Sequence, residues 1–324
     1  MRSKLYPIAI VTLIIGVALL TAGYLLPQKV TEEKPLPLQL ATSTLTLEDD
    51  EASVGSAYPA TGGKTIKAPV IKQYDMTLGQ PASEDSAAAK VGVSVARGDI
   101  DEDEKALLNA QIWSFTVDRF TGEVRGQAKV SDTPATPPTA VENMGQWVKF
   151  PQEVEQRDYE YFDDQVRKPV KAAYQGTVTH QDQAGKDVEL YVFKQEIPDT
   201  DVSSQYDSLW NTQMLRKDGS DERVEGHLTY SGTRTITVEP RSGMIVALDE
   251  NLNARYLDDQ GEKLDDLLVF NGRTTEKVEH DMLAQAQKLG EFRHTSSWGF
   301  GLTGLGAIVT AASLIALVVY RRRP

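Results

Sequence analysis

Six carboxylates and four aromatic rings fall within the fifteen residues 150–164, whose sequence is FPQEVEQRDYEYFDD. Acids at this density could serve two kinds of chemistry. A pair of carboxylates facing one cleft can act as acid and base or nucleophile in glycoside hydrolysis. Carboxylate oxygens at loop spacings can bind a hard cation such as Ca²⁺. The surrounding elements decide whether either chemistry is available.

Neither chemistry fits the local pattern well. On a strand, Asp158 and Glu160 would stand side by side on one exposed face rather than opposite each other across a cleft. The following loop, FDDQVRKP, lacks the glycine that the sharp turn of a cation-binding loop requires. Three basic residues close by supply local counter-charge, namely Arg167, Lys168 and Lys171.

The alternative is a structural role for this segment. Alternation along a strand places Tyr159 and Tyr161 on one face with Asp163, and Phe162 on the face of the two acids. We therefore predict a strand that packs both tyrosines inward and runs into a turn at Asp163-Asp164. Under this interpretation the aromatic residues form the scaffold and the acids belong to the surface.

Signatures of catalysis or cofactor binding are missing elsewhere in the chain. The sequence has no GxSxG, HExxH, Walker or EF-hand pattern, and the four histidines are scattered: His180, His227, His280 and His294. The GxGxxG pattern in GFGLTGLG lies in an apolar run and follows no strand. With no cysteine, disulfides and thiolate metal sites are excluded. We expect no catalytic residue, no cofactor and no metal site, and hence no enzyme.

Two uncharged apolar runs flank the central part of the chain, Leu5 to Leu26 and Trp298 to Tyr320. Each is about 22 residues long, and a rise of ~1.5 Å per residue lets such a helix cross a bilayer core. Cleavage of the first run as a signal peptide is the alternative, but its apolar core is longer than a signal core. The predicted organisation is a tip at 1–4, transmembrane helices at 5–26 and 298–320, an extracytoplasmic domain at 27–297, and a tip at 321–324.

The distribution of charged residues predicts how the chain is oriented in the membrane and which partners it excludes. Both tips are basic, with Arg2 and Lys4 at one end and Arg321–Arg323 at the other, so the positive-inside rule places both in the cytoplasm of a plasma-membrane protein. Residues 27–297 then carry 29 basic and 47 acidic residues, a net charge of −18. Such a surface repels nucleic acid. Solubility in an exposed compartment is the favoured explanation, and a specific cationic partner is the alternative.

Small residues recur along one face of each apolar run, and small faces let helices approach closely in a membrane. We predict that the two spans pack on each other or on the helices of a partner through these positions: Ala9, Thr12, Gly16, Gly23, Gly299, Thr303, Ala307 and Ala311.

Strand patterns dominate residues 27–297. Alternating apolar residues predict strands around Leu36–Leu47, Val91–Val95, Trp113–Val117, RTITVEP and MIVALDENLNARYLD. DVELYVFKQEI is apolar on both faces, which predicts a strand buried on both sides. One helix is predicted in TTEKVEHDMLAQAQKLG, with an apolar face that packs on the sheet. The fold class is α+β, a mainly antiparallel β domain held between two transmembrane helices.

Two segments, VDRFTGEV and VEPRSGMI, align without gaps and each predicts a strand, a tight turn and a strand. Gly122 and Gly243 would supply the positive φ of these turns. Recurrence of a common turn is one explanation, and two related halves of the domain are the other.

Several motifs together resemble one known family, the actinobacterial membrane proteins of the porin PorA family. The resemblance covers nearly the whole chain and rests on YFD at 161–163, YQG at 174–176, LYVF at 190–193 and VEPRSG at 238–243. Its scaffold signature comprises Trp113, Asp118, Arg119, Gly122, Tyr159, Tyr161, Asp163, Glu239, Pro240 and Gly243. The family offers no catalytic residues to transfer to this chain.

The resemblance implies a membrane-anchored protein of the cell envelope, with no nucleic acid among its partners. Three functions follow as expectations. The first is envelope assembly or lipid binding and transfer, with a lipid ligand sheltered in the β domain and envelope-assembly membrane proteins as partners. The second is a porin or channel-forming subunit. The third is a scaffold that docks an envelope enzyme or transporter.

Overall fold

A computed structural model of the chain describes residues 5–29, 35–133, 136–142, 144–217, 222–291 and 297–322. The chain forms two compact units, one of the terminal segments Met1–Lys34 and Glu291–Pro324 and the other of residues Pro35–Gly290. The helices are α1 Leu5–Lys29, α2 Asp103–Ala106, α3 Glu276–Glu291 and α4 Ser297–Arg322. The strands are β1 Thr44–Val54, β2 Ile66–Ala82, β3 Ser86–Arg97, β4 Leu107–Asp118, β5 Val124–Ser131, β6 Thr139–Val141, β7 Tyr159–Asp163, β8 Lys168–Gln181, β9 Asp187–Asp201, β10 Thr212–Arg216, β11 Arg223–Val238, β12 Ile245–Leu257 and β13 Lys263–Thr274.

All thirteen strands belong to one antiparallel sheet, which confirms the prediction of a mainly antiparallel β domain. The strand order is β6-β5-β4-β3-β2-β1-β13-β12-β11-β9-β8-β7, with β10 pairing to β11 beside this path. The two ends of this order are joined by Gln146. Its backbone forms two hydrogen bonds with β7. Gln146 N donates to Glu160 O (3.0 Å), and Phe162 N donates to Gln146 O (2.7 Å). Gln146 also bridges Glu123, next to β5, so the sheet curls back on itself and encloses an interior.

The inward face of the closed sheet carries the main hydrophobic core. Apolar residues from nearly every strand contribute to it, including the fully buried Trp113, Phe162 and Phe193. Aromatic contacts lie at its centre, with the Trp113 and Phe162 rings 5.2 Å apart in an edge-to-face arrangement. A sheet that closes leaves few strand edges to protect, and inward side chains occupy much of the interior.

The predicted helix near the end of the domain is confirmed as α3. Its apolar face is buried in two places: Met282 joins the main core, whereas Leu283 and Ala286 belong to a second cluster on the outer side of the sheet. Leu190 of β9 packs in this outer cluster while Phe193 packs in the main core. This arrangement confirms the prediction that β9 is buried on both faces.

The predicted strand at Leu36–Leu40 is wrong, because regular strand structure begins only at Thr44 in β1. Leu36 is anchored by other means. Its N–H donates to Arg119 O (2.9 Å), its carbonyl accepts from Arg119 Nε (2.7 Å), and its side chain is buried in the outer cluster. The alternating leucines reflect packing along an irregular segment rather than strand pairing.

Among the described residues of the helix pair α1 and α4, one segment is long and apolar enough to span a membrane, Gly299–Val319 of α4. In α1 the apolar stretch among the described side chains, Ile10–Tyr24, is shorter than such a span. The second span and the orientation of the tips therefore remain predictions.

Candidate functional site

A layer of buried charged side chains crosses the interior of the sheet. Arg234 of β11 lies at its centre, and its Nε donates to Glu250 Oε1 (2.6 Å). Its Nη1 lies 3.2 Å from Asp163 Oδ2, and its Nη2 lies 3.6 Å from Asp164 Oδ1. The three carboxylate side chains are fully buried, and the guanidinium is almost so. Ion pairing offsets the cost of burying these charges, although Asp164 Oδ1 and Arg234 Nη2 have no hydrogen-bond partner among the described residues.

Further polar groups complete this layer, which we call the charge layer. Lys72 of β2 pairs with Glu250 through Nζ and Oε2 (2.9 Å), and Tyr74 OH donates to Glu250 Oε1 (2.9 Å). Gln195 of β9 accepts from Arg234 Nη1 (2.7 Å) and donates to the carbonyl of Tyr161 (2.8 Å). Strands from opposite parts of the sequence are thereby linked through side chains.

The layer holds three carboxylates and two cations, and this imbalance affects their protonation. Burial alone would raise the pKa of Glu250, but the adjacent Lys72 and Arg234 lower it to about 2. Burial raises the pKa of Asp163 despite the neighbouring Arg234 guanidinium, and the Asp164 carboxylate adds to the rise. Glu250 is thus held ionised, whereas burial favours the protonated form of Asp163.

Two cavities lie inside the domain, one on each side of the charge layer. The inward residues of β12 pass from one cavity to the other: Leu248 lines the first, Glu250 belongs to the layer, and Leu252 lines the second. Along β2, Tyr74 lines the first cavity and Lys72 the second. Inward neighbours on a strand are spaced by ~7 Å, so the layer is about one or two side chains thick.

The first cavity, here called the apolar cavity, measures about 540 Å³ including the space at its mouth. Its walls are mainly aliphatic and contain three methionines, whose flexible thioethers adapt to irregular ligands. The irregular segment before β1 and helix α3 both contribute, and Gln285 of α3 ties them together by hydrogen bonds to both backbone groups of Thr42. Its lining includes Leu40, Leu45, Met76, Val91, Met244, Leu248 and Met282.

The second cavity, here called the aromatic cavity, measures about 800 Å³ including its open mouth. Valine, leucine and alanine side chains make up much of its wall, beside tyrosine, tryptophan and amide side chains. Lys72 and Tyr230 line it on the side of the charge layer. Both cavities are open to solvent, so these volumes include space outside the enclosed part of each cavity.

The acids of the stretch 150–164 lie in two environments, the protein surface and the charge layer. Glu153, Glu155, Asp158 and Glu160 are exposed, whereas Asp163 and Asp164 are fully buried in the charge layer. The predicted strand and turn are present as β7 and the turn that follows it. Phe162 was expected on the face of the exposed acids, but it is buried because Trp113 and Trp147 cover it. Among the described residues, no cluster of three metal-ligating side chains is present.

Comparison with known proteins addresses the identity of the chain directly. A family model described as Porin PorA matches residues 8–315. The chain belongs to the porin PorA family. A curated relative named Porin PorA, from Corynebacterium amycolatum, is 25% identical over an alignment of 354 residues that covers 90% of this chain and 86% of the relative. Membership supports a cell-envelope membrane location for this porin PorA family protein.

The signature residues of this porin PorA family member fall mainly at two turns. Asp118 Oδ1 accepts from the N–H groups of Phe120 and Thr121, both at 2.8 Å, and closes the β4–β5 turn. Glu239 does the same for the β11–β12 turn through Ser242 N (2.7 Å). Pro240 lies within this second turn and accepts from Val154 N (2.7 Å).

Both turns use a glycine with positive φ, 77° at Gly122 and 74° at Gly243. A side chain at Gly122 would overlap Lys149, and one at Gly243 would overlap the carbonyl oxygens of Phe150 and Pro151. The segment 149–151 therefore passes against both turns, which are equivalent positions in the two halves of the strand order. Arg119 extends from the first turn to donate to Ser83 O (2.7 Å).

The aromatic signature residues lie in the core. Trp113 is fully buried and contacts Phe162, while Tyr159 and Tyr161 pack on Phe150 with ring centroids 5.2 and 5.8 Å away. Asp163, on the same strand as these tyrosines, is the signature residue that enters the charge layer.

The helix unit brings most of the predicted small residues into one antiparallel contact between α1 and α4. A Cβ at Gly16 would lie 2.6 Å from Thr310 Oγ1, and one at Gly23 would lie 2.6 Å from Thr303 Oγ1. Ser313 Oγ donates to Thr12 Oγ1 (3.0 Å). Gly299 is buried, Ala307 and Ala311 are exposed, and the side chain of Ala9 lies outside the described residues.

The contact face of α4 follows Gly299, Thr303, Gly306, Thr310 and Ser313, with steps of three and four residues. The predicted face used steps of four only. Because an α-helix has 3.6 residues per turn, repeated steps of four rotate away from the contact line and carry Ala307 and Ala311 to the outer side.

Lys72, Asp164, Arg234 and Glu250 were not recognised as site residues from the sequence. A signal was present, because each strand residue of this set occupies the apolar face of an alternating strand. Glu250 follows Val246 and Leu248 at steps of two, and Arg234 precedes Ile236 and Val238 in the same way. A charge at such a position predicts a buried ion pair.

Proposed function

We propose that this porin PorA family protein is a non-enzymatic, membrane-anchored envelope protein whose β domain binds an acyl chain in the apolar cavity. Both tips lie in the cytoplasm under this proposal, and residues 27–297 lie outside. The observation that carries it is the aliphatic and methionine lining of the cavity. Burial of apolar surface there is favourable by ~25 cal/mol per Å². The interior carboxylates are engaged in ion pairs and are assigned no catalytic step.

Two elements outside the sheet line the apolar cavity, the segment before β1 and helix α3. They are held together by the two hydrogen bonds between Gln285 and Thr42. The charge layer closes the inner end of the apolar cavity. An acyl chain that entered the layer would separate the buried ion pairs without offering the charges any polar contact. The acyl chain is therefore bound at its end rather than passed through the domain.

Lipid content of the purified full chain tests this function. Protein prepared in a mild detergent is expected to carry host lipid that mass spectrometry detects. Met282→Trp, which fills the cavity from α3, should lower the lipid content, and His280→Trp, at an exposed position of the same helix, should not. Lipid-free wild-type protein, or equal lipid in two variants that both remain folded, would overturn the proposal.

A second candidate is a channel-forming subunit, which the name of the Corynebacterium amycolatum relative favours. It requires several copies, because the spanning part of α4 is apolar and uncharged and cannot by itself line an aqueous path. Reconstitution into planar bilayers gives the test: single-channel conductance from an oligomer supports this function, and a monomer without conductance removes it.

A further inference from the structure

The aromatic cavity has an aliphatic wall like that of the apolar cavity, but it also carries amide side chains and Lys72, which the apolar cavity lacks. Its wall contains Tyr58 and Trp210, whose rings are 4.8 Å apart and inclined by 59°. Tyr58 is buried, whereas Trp210 is half-buried and lies at the loop between β9 and β10. Flat aromatic faces at a cavity mouth suit ligands that present a flat apolar C–H face.

The loop that carries Trp210 is held in place before any ligand arrives. Tyr256 OH donates to the carbonyl of Trp210 (2.8 Å), and Leu228 N donates to Asn211 O (2.8 Å). Tyr206, earlier in the loop, donates through its hydroxyl to Gln165 O (2.5 Å), and the Arg167 guanidinium lies 3.5 Å from its ring centroid. A binding surface that is already ordered loses less entropy when it binds.

Amide side chains supply directional hydrogen bonding beside these rings. Asn109, Gln111, Gln165 and Asn211 all line the cavity. Asn211 is 5% exposed, and its Nδ2 donates to Tyr206 O. Its Oδ1 is buried and has no hydrogen-bond partner among the described residues. A buried acceptor without a donor is costly, so a ligand hydroxyl that donates to it would be strongly favoured.

The charges around the cavity select for a neutral ligand. The Lys72 ammonium is already paired with Glu250, and the Arg167 guanidinium near Tyr206 is paired with Asp132. A ligand of either charge therefore finds no free counter-charge at the cavity. Charged ligands of either sign are therefore disfavoured.

We propose that the aromatic cavity is a binding site for a neutral carbohydrate, one or two sugar rings that stack on Trp210 and donate a hydroxyl to Asn211. Sugar rings combine an apolar C–H face with a rim of hydroxyl groups, which matches aromatic rings flanked by amides. The site is independent of the acyl-chain site, since the charge layer lies between them. Together the two sites would connect a membrane lipid with a glycan of the envelope.

Titration of the full chain with soluble oligosaccharides tests this site. The protein is held in a zwitterionic detergent, because maltoside detergents carry a sugar headgroup of their own. Isothermal titration calorimetry with maltotriose, cellotriose and galactobiose should show saturable binding by at least one of them. A heparin disaccharide and choline serve as the anionic and cationic probes and should not bind.

Variants then locate the binding. Trp210→Ala is expected to weaken sugar affinity by about tenfold or more, as loss of an aromatic stacking surface does. Asn211→Ala should weaken it as well, while Leu209→Ala, at an exposed neighbouring position, should not. No saturable binding of any neutral sugar, unchanged binding in folded Trp210→Ala, or preference for either charged probe would overturn the assignment. Lipid content in the same samples reports separately on the apolar cavity.

Discussion

The four exposed acids of the stretch 150–164 and its two buried acids have the same chemistry but opposite roles. Arg157 pairs with Glu155 at the surface (2.7 Å), where both side chains are more than half exposed. Asp163 and Asp164 face Arg234 where no water reaches. Surface pairs contribute little because water and salt screen them, whereas a buried charge without its partner is strongly destabilising. Position in the fold decides what a carboxylate does here.

The largest difference in stability is expected between two variants, one that removes a buried arginine of the charge layer and one that removes an arginine at the surface. Arg234→Met should lower the free energy of unfolding by about 3–5 kcal/mol, because three buried carboxylates lose their central partner. Denaturant unfolding of the full chain in detergent, followed by circular dichroism, measures it. Arg157→Met is the matched control and should fall within error of the wild type. Equal effects would show that the charge layer is not isolated from water.

The pH dependence sharpens the same comparison through Glu250. Its pKa is about 2 in the folded chain and about 4.5 when unperturbed, so its ionised form stabilises the fold above about pH 4.5. That contribution, about 3 kcal/mol, is lost as the pH falls from about 4.5 to about 2. Asp163 acts with the opposite sign: its raised pKa favours the fold at low pH, and this benefit is lost as the pH rises through the folded pKa.

The slope of unfolding free energy against pH is the measurement. Glu250→Gln should flatten the acid limb between about pH 4.5 and 2, because the titrating group is gone. Glu160→Gln, on the exposed face of β7, should leave that slope as in the wild type. A Glu250→Gln curve parallel to the wild-type curve would contradict the assigned pKa of Glu250.

A smaller difference in stability is expected between two glycines, one enclosed by other residues and one in open space. Gly243 and Gly185 both have positive φ, 74° and 76°, so alanine costs about 1–2 kcal/mol at either from conformation alone. A methyl group at Gly243 also overlaps the carbonyl oxygens of Phe150 and Pro151, while none of the described atoms lies within 4 Å of one at Gly185. Gly243→Ala should therefore lower the thermal midpoint clearly more than Gly185→Ala. Similar midpoints would mean that segment 149–151 shifts freely.

The smallest effect is expected in the helix pair α1 and α4. It is a difference in disulfide yield between substitution of a closely packed glycine and substitution of a glycine in open space. The chain has no cysteine. Cysteines introduced together at Thr12 and Ser313, whose hydroxyl oxygens are 3.0 Å apart, should therefore form a disulfide under mild oxidation. Gly16→Ala should reduce the yield because its Cβ approaches Thr310, whereas Gly304→Ala meets open space and should not. An unchanged yield in Gly16→Ala would contradict close packing at this point.

The spacing of apolar residues in the sequence correctly predicted the strands and the helix in which that spacing is regular. The strands around Trp113, Leu190 and Ile236 and the helix α3 follow from apolar spacing, and their burial agrees with it. Prediction failed at Leu36–Leu40, where an alternating pattern arises from contacts with a distant turn. It also missed the charge layer, since the partner of Asp163 lies 71 positions away in the chain. Local patterns report which face is buried but not which distant side chain lies opposite.

The sequence alone determined the flanking apolar runs, the antiparallel β domain and the membership of its motifs in the porin PorA family. The apolar runs and the β domain follow from composition and alternation, whereas the family was indicated by the resemblance of short motifs. Only the tertiary structure decided that two acids of FPQEVEQRDYEYFDD are buried, that Arg234 joins them to Glu250, and that the interior is divided into an apolar and an aromatic cavity. The physical reason is that closure of the sheet brings together strands far apart in sequence, and burial then changes the energy of every charge enclosed.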